Sequence, residues 1–231
     1  AFTDNFSVKA GFNSMRQYIH KLSNTVIMSP TDTWKLSDVN IKPQRGWQAA
    51  AGLYLNSPSG IWEYSVEGYY KRMSDYLDYR GGAKLLNHHI ETDVINTQGH
   101  AYGVELQVKK QVGKLNGWMS YTYSRTFLRQ NDKRIEKPVN NGDWYPTEYD
   151  KPHDFKFVGN YKFTHRYSMS INVDYSTGRP TTIPAGQYYD ESTQSMRVYY
   201  TERNSYRIPD YFRTDISFNI EPSHHLTLLT H

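Results

Sequence analysis

Residues 167–175 read Tyr167-Ser168-Met169-Ser170-Ile171-Asn172-Val173-Asp174-Tyr175, an unbroken alternation of apolar and polar side chains. A strand sends successive side chains to opposite faces, so this stretch predicts a β-strand with one apolar and one polar surface. The period of two recurs on both sides of it. Upstream, Phe155, Phe157, Gly159, Tyr161 and Phe163 oppose Lys156, Val158, Asn160 and Lys162. Downstream, Phe212, Thr214, Ile216, Phe218 and Ile220 oppose Arg213, Asp215, Ser217 and Asn219. Five earlier segments, 6–13, 47–55, 62–71, 102–109 and 119–124, alternate in the same way. Eight strands are expected, with a ninth starting at Leu226 and cut off at His231.

The connections alternate strictly in length. Short ones are expected at 57–60, 113–116, 165–166 (His165 and Arg166) and 222–224, and long ones at 22–43, 75–96, 130–151 and 177–209. Membrane β-barrels have this asymmetry, with short turns at one rim and long loops at the other. In a compact soluble domain, loops of that length are uncommon. A soluble sandwich also alternates along its strands, but it has no reason to gather every long loop at one end. The fold class is therefore read as all-β: an antiparallel transmembrane β-barrel portion.

Composition agrees with that reading. The 231 residues include no Cys, and Lys+Arg number 27 against 23 Asp+Glu. The absence of cysteine removes disulfide frameworks and thiolate metal sites. A formal charge of +4 with no compact basic run argues against nucleic acid as a partner. A mean hydropathy of −0.79 suits water, yet a barrel meets lipid only at every second residue and keeps a low mean while spanning a bilayer. The 21 tyrosines fit the aromatic girdles of such barrels. Apolar faces are flanked by Trp47, Trp62, Tyr70, Tyr161 and Tyr175, while Glu67, Glu105, Asp174 and Asp215 place charge mid-strand on the other face. With no signal peptide at Ala1, the chain reads as mature, cut or a fragment.

Several pieces stand in a fixed order along the chain. They are the run from Pro30 to Gln44, Tyr69-Tyr70-Lys71-Arg72-Met73, Ala101-Tyr102-Gly103-Val104-Glu105-Leu106 and the run from Gly117 to Ser124. Tyr149-Asp150-Lys151-Pro152-His153-Asp154, Ser176-Thr177-Gly178-Arg179-Pro180 and the run from Arg207 to Arg213 follow in order. Together these pieces resemble those of TonB-dependent receptors of the Bacteroidetes type, and the resemblance implies a barrel of about 22 strands, within the range of such barrels. It also implies an outer-membrane location and nutrient import energised by the TonB complex. On this reading residues 1–231 are a C-terminal barrel portion with the plug domain absent. Its implied partners are the plug, the remaining strands, outer-membrane lipid, a surface lipoprotein and, through the plug, the TonB complex. An alternative is a secreted all-β carbohydrate-binding, lectin-like module; a small outer-membrane enzyme is a third.

No catalytic, cofactor or metal residues are assigned. His88-His89 and His224-His225 are adjacent pairs, which on a strand point to opposite faces and rarely converge on one ion. His153-Asp154 lacks a nucleophile elbow. Asp143, Glu148 and Asp150 lack the spacing of a calcium loop and read as a solvated acidic loop. Aromatic residues of the long loops are the ligand-contact candidates: Trp34, Trp144, Tyr145, Tyr149, Tyr188 and Tyr189, with Tyr199 and Tyr200 beside them. Flat rings offer large stacking area; the competing role is packing the loops onto one another.

Overall fold

A computed structural model describes residues 5–22, 33–38, 41–79, 94–130, 138–191 and 194–221. Eight long strands form one antiparallel meander. They are β1 (Phe6–Gln17), β4 (Gln44–Asn56), β5 (Trp62–Tyr79), β6 (Val94–Lys110), β7 (Leu115–Arg129), β9 (His153–Lys162), β10 (Tyr167–Ser176) and β15 (Tyr211–Ile220), hydrogen-bonded in that order. The sheet is open, with β1 and β15 at its edges. The expected ninth strand from Leu226 and the turn at 222–224 lie outside the described residues, as do His88-His89 and His224-His225.

The register carries the alternation across the whole sheet. Ala51 lies opposite Ala10 and Gly68, Leu106 opposite Val66 and Tyr121, and Phe157 opposite Met119 and Val173. Ile171 then lies opposite Gly159 and Ile216. One face is therefore a continuous apolar band from β1 to β15, and it is solvent-accessible: Phe12 is 71% exposed and Phe218 68%. A soluble sandwich would bury this face. On β4 the band runs from Trp47 to Leu55; nine residues at about 3.4 Å each, tilted by about 40°, rise roughly 23 Å, the height of a barrel's lipid-facing belt. Rings mark both margins. Trp62 stacks on Tyr64 at the short-turn end, while at the long-loop end Phe12 stacks on Trp47, which meets Tyr70 at a tilt.

The opposite face is polar. It holds Lys9 over the Tyr54 ring, Glu67 facing Glu105 across two strands, and Asn160 accepting a hydrogen bond from the Ser170 hydroxyl. Glycine admits the close approaches here: a Cβ on Gly103 would sit 2.8 Å from the Tyr123 carbonyl and the Tyr69 ring.

Three boundaries differ from expectation. The turn between β9 and β10 spans Phe163 to Arg166 rather than His165-Arg166 alone. Phe163 and Thr164 both donate backbone N–H to the Tyr167 carbonyl, and the Thr164 hydroxyl accepts from the amides of Arg166 and Tyr167. A threonine side chain that satisfies local amides in this way competes with the ladder. Next, β5 and β6 run on to Tyr79 and from Val94, inside the expected 75–96 loop. A one-residue bulge lies between Met73 and Tyr76, with Asp75 in left-handed conformation (φ 56°). Finally, the other long connections carry ladders of their own. These are β2 (Ile19–Leu22) with β3 (Thr33–Leu36), β8 (Tyr145–Pro146) on β7, β11 (Pro180–Thr181) with β14 (Tyr206–Arg207), and β12 (Pro184–Asp190) with β13 (Ser195–Tyr200).

The β2–β3 hairpin has one acid-sensitive joint. His20 is buried, and its Nε2 lies 3.0 Å from the Ser37 hydroxyl, which itself donates to the Tyr18 carbonyl. That leaves the hydroxyl oxygen as acceptor and His20 as a neutral Nε2–H donor. Burial holds the imidazole below its ordinary value. The folded hairpin therefore binds a proton less readily than the open one. Its stability falls as pH drops through the ordinary imidazole value of about 6.5 and levels off below the folded value. Amides of 19–22 and 33–36 should exchange faster at pH 5.0 than at pH 7.5 after correction for intrinsic rates. Equal protection at both pH values would show that His20 is not the joint.

Candidate functional site

The long-loop rim is built around two carboxylates. Asp150 is 0% exposed. It accepts the Thr126 amide at 2.8 Å, the Arg125 Nε at 3.2 Å and a contact from the Arg207 guanidinium. Arg207 also donates to the carbonyls of Asp150 (2.7 Å) and Gly178 (2.9 Å). One buried acid thus joins the wall strand β7, the β7–β9 connection and β14 from the β10–β15 connection. The reading of 143–150 as a solvated acidic loop fails at Asp150, because two arginines and an amide replace its water.

Asp78, on the extension of β5, is the second carboxylate. It accepts the Tyr145 hydroxyl at 2.5 Å and Arg203 at 2.7 Å. Pairing of β8 with β7 sets Tyr145 opposite Leu128, and the tyrosine is 1% exposed. Burial first, then the charge of Asp78, raise the Tyr145 hydroxyl above its ordinary range, so it stays a donor. Asn140, in left-handed conformation within a 3-10 turn at Val139–Gly142, exchanges two hydrogen bonds with the Arg203 backbone. Asn204 donates to the Pro146 carbonyl.

A clasp closes the root of the β10–β15 connection. Asp210 accepts the Gly178 amide at 2.9 Å and the Tyr175 hydroxyl at 2.7 Å. The Gly178 N–H, and after it the Tyr175 hydroxyl, hold this carboxyl below its usual range. Only glycine fits at 178, since a Cβ there would sit 1.7 Å from the Ile208 carbonyl oxygen. His153 shares a 2.8 Å hydrogen bond with the Tyr121 hydroxyl. The pieces quoted from Tyr149 to Asp154, Ser176 to Pro180 and Arg207 to Arg213 are therefore the parts of one rim clasp.

The aromatic candidates separate on this frame. Tyr145 is packed inside and offers no surface to a ligand. Trp144 is exposed at one edge, with its ring 4.4 Å from that of His100 and the Arg129 guanidinium over it at 5.3 Å. Tyr149 is exposed beside Asp150. Trp34 is exposed on the separate β2–β3 hairpin. Tyr188, Tyr189, Tyr199 and Tyr200 are brought together, all exposed, on the β12–β13 hairpin. By register Tyr188 and Tyr199 share one of its faces, while Tyr189, Met196, Val198 and Tyr200 share the other. Asp150, Asp78, Asp210, Arg203 and Arg207 were not singled out as a set from sequence. The available signal was the recurrence of Asp beside Pro at both loop roots.

The family described as TonB dependent receptor-like, beta-barrel, matches residues 1–230. No curated protein matches the chain in sequence. Among solved structures, the ferric-catecholate import receptor Fiu from Escherichia coli K12 superposes with a TM-score of 0.57 at 13% identity, covering 97% of this chain and 28% of that one. The FrpB iron transporter from Neisseria meningitidis gives 0.56 at 13% identity, over 95% and 30%. The ferripyoverdine receptor of the outer membrane of Pseudomonas aeruginosa gives 0.54 at 12% identity, over 96% and 26%. At these identities the likeness is one of fold. The chain spans between a quarter and a third of the length of these structures.

Proposed function

The chain belongs to the TonB-dependent receptor-like β-barrel family of the bacterial outer membrane, and we propose that it forms part of the wall of a receptor importing a nutrient with energy from the TonB complex. The observation that carries this reading is the unbroken apolar band over a polar inner face from β1 to β15, crowned at one end only by built loops. A secreted lectin-like module would not present such a belt to water, and that alternative is set aside. The wall works with partners: a plug, the remaining strands, outer-membrane lipid and a surface lipoprotein. The quoted motif pieces support a receptor of the Bacteroidetes type. No catalytic step is assigned to it.

The aromatic hairpin supports a cargo with flat or ring surfaces. Its structural neighbours are named for ferripyoverdine, ferric catecholate and iron, whereas the rings here suit sugars as well as chelates. Each stacked ring contributes about 0.5–1.5 kcal/mol beyond area burial. In the full-length receptor, alanine at Tyr188, Tyr189, Tyr199 and Tyr200 together should lower whole-cell nutrient binding at least about tenfold. Among the described residues the hairpin's two strands ladder with each other and with no strand of the wall, so the amount of heat-modifiable barrel should not change. Unchanged uptake by the quadruple variant would remove the hairpin from the binding surface.

A further inference from the structure

Near the mouth of the lumen the polar inner face gives way to methionine. Met15 on β1 and Met73 on β5 both lie opposite Gly46 on β4, all three at inward positions. The glycine leaves the space between the two thioethers open, and a cavity of about 480 Å³ results. Its upper side is the root of the β2–β3 hairpin, at Tyr18 and Ile19, and its lower side is Lys71, one pleat below Met73. That root is firmly built. The Gln17 side chain donates to the Ile19 carbonyl at 2.8 Å, while the Ser37 amide and hydroxyl both donate to the Tyr18 carbonyl, at 2.7 and 3.1 Å. Met15, Tyr18 and Ile19 are each half exposed, and apolar surface left open on a wet face marks a binding site. Among the described residues no carboxylate lines the cavity, and none pairs with Lys71.

We propose that this cavity binds an amphiphilic organic anion as cargo, a single carboxylate carried on an aliphatic or aromatic body. Its size, its apolar walls and its few polar groups are those of a small-molecule site. Unbranched thioethers adapt to a body of irregular outline, and the Lys71 ammonium gives the carboxylate a charge-assisted partner. Gly46 stands one residue beyond Trp47 toward the long loops, the side from which cargo enters, which favours cargo over a plug segment as the occupant. The inference rests on the receptor reading only in taking the ligand as cargo. A receptor that holds the anion yet imports nothing would fault that reading and leave the site standing.

The test is equilibrium dialysis of the full-length receptor in phosphatidylcholine nanodiscs against 2-naphthoate or the neutral 2-naphthamide, with empty discs subtracted. The wild type should bind the carboxylate about tenfold more tightly than the amide, the effect of one charged hydrogen bond. Lys71→Gln should bring the carboxylate down to the level of the amide and leave the amide unchanged. Met15→Gln with Ile19→Gln should weaken both probes alike, by about fivefold, through lost apolar contact. Lys156→Gln, at a lumenal cation outside the cavity that lies 3.6 Å from Asp154, should change neither. Failure of the wild type to bind 2-naphthoate, as when a plug segment fills the cavity, would overturn the site. So would equal binding of the two probes, a preference that survives Lys71→Gln, or full affinity in the Met15 and Ile19 double variant.

Discussion

Replacing Ile171 by arginine in the full-length receptor should cut the yield of folded, heat-modifiable barrel by at least about thirtyfold, while the same change one residue on, at Asn172, should leave most of it. Ile171 is the third of five outward positions on β10, with Tyr167 and Met169 on one side and Val173 and Tyr175 on the other, so it sits at mid-height of the band. Its cross-strand neighbours are Gly159 and Ile216, neither of which offers a charge or a hydrogen-bonding side chain. A lipid-facing arginine at the midplane costs roughly 2–4 kcal/mol. Asn172 faces the lumen opposite Asp215, whose carboxylate would receive a guanidinium. Comparison of the heat-modifiable fraction on gels reads the difference directly. Equal yields from the two variants would mean that the faces are assigned the wrong way round.

Removing the carboxylate at 150 should loosen the loops and spare the barrel. Asp150→Ala leaves Arg125 and Arg207 without their shared acid, and the Thr126 amide without its acceptor. Breaking a buried pair by deleting one partner costs about 3–5 kcal/mol. The arginines keep some access to water, with 25% and 30% of their side chains exposed, which favours the low end, about 3 kcal/mol. Amide exchange over 138–150 and 203–210 should then quicken on the order of a hundredfold, since each 1.4 kcal/mol is a factor of ten. Amides of β9 and β10 inside the band should not change. Asp143→Ala, at an exposed acid of the same connection, serves as the control and should have no effect. Protection that survives Asp150→Ala would show that the two loops are held by other contacts.

The eight strands could be read from sequence because lipid on one side and a polar lumen on the other force alternation at every step from Phe6 to Ile220. Beyond the bilayer that force ends. Tyr76 to Tyr79 and Val94 to Thr97 form strand without an apolar stripe to announce it, since both of their faces meet loops or water. The rim clasp was illegible for a second reason. Asp78 and Arg203 are 125 residues apart, and no local pattern pairs them. Neighbouring rings were equally indistinguishable in sequence: Trp144 and Tyr145 are adjacent, yet pairing of Tyr145–Pro146 with β7 sends one to the surface and the other to 1% exposure. Composition marks a loop as aromatic; the ladder decides which ring is free.

The extra residue at Asp75 has a consequence for how such a wall tolerates insertions and deletions. A single residue added between Trp62 and Tyr70 would exchange the two faces of the strand above it, carrying Glu67 or Lys71 into hydrocarbon and Val66 or Tyr70 into the lumen. Inside the belt, length can therefore change only in pairs. The bulge lies past Arg72, above the belt, where the exchange of faces meets water on both sides and is nearly free. Variation in chain length between related receptors should accordingly be of any number above Ser74 and of even number, or absent, below it. The outer edge of the bilayer is the line at which reading-frame parity of the strand ceases to matter.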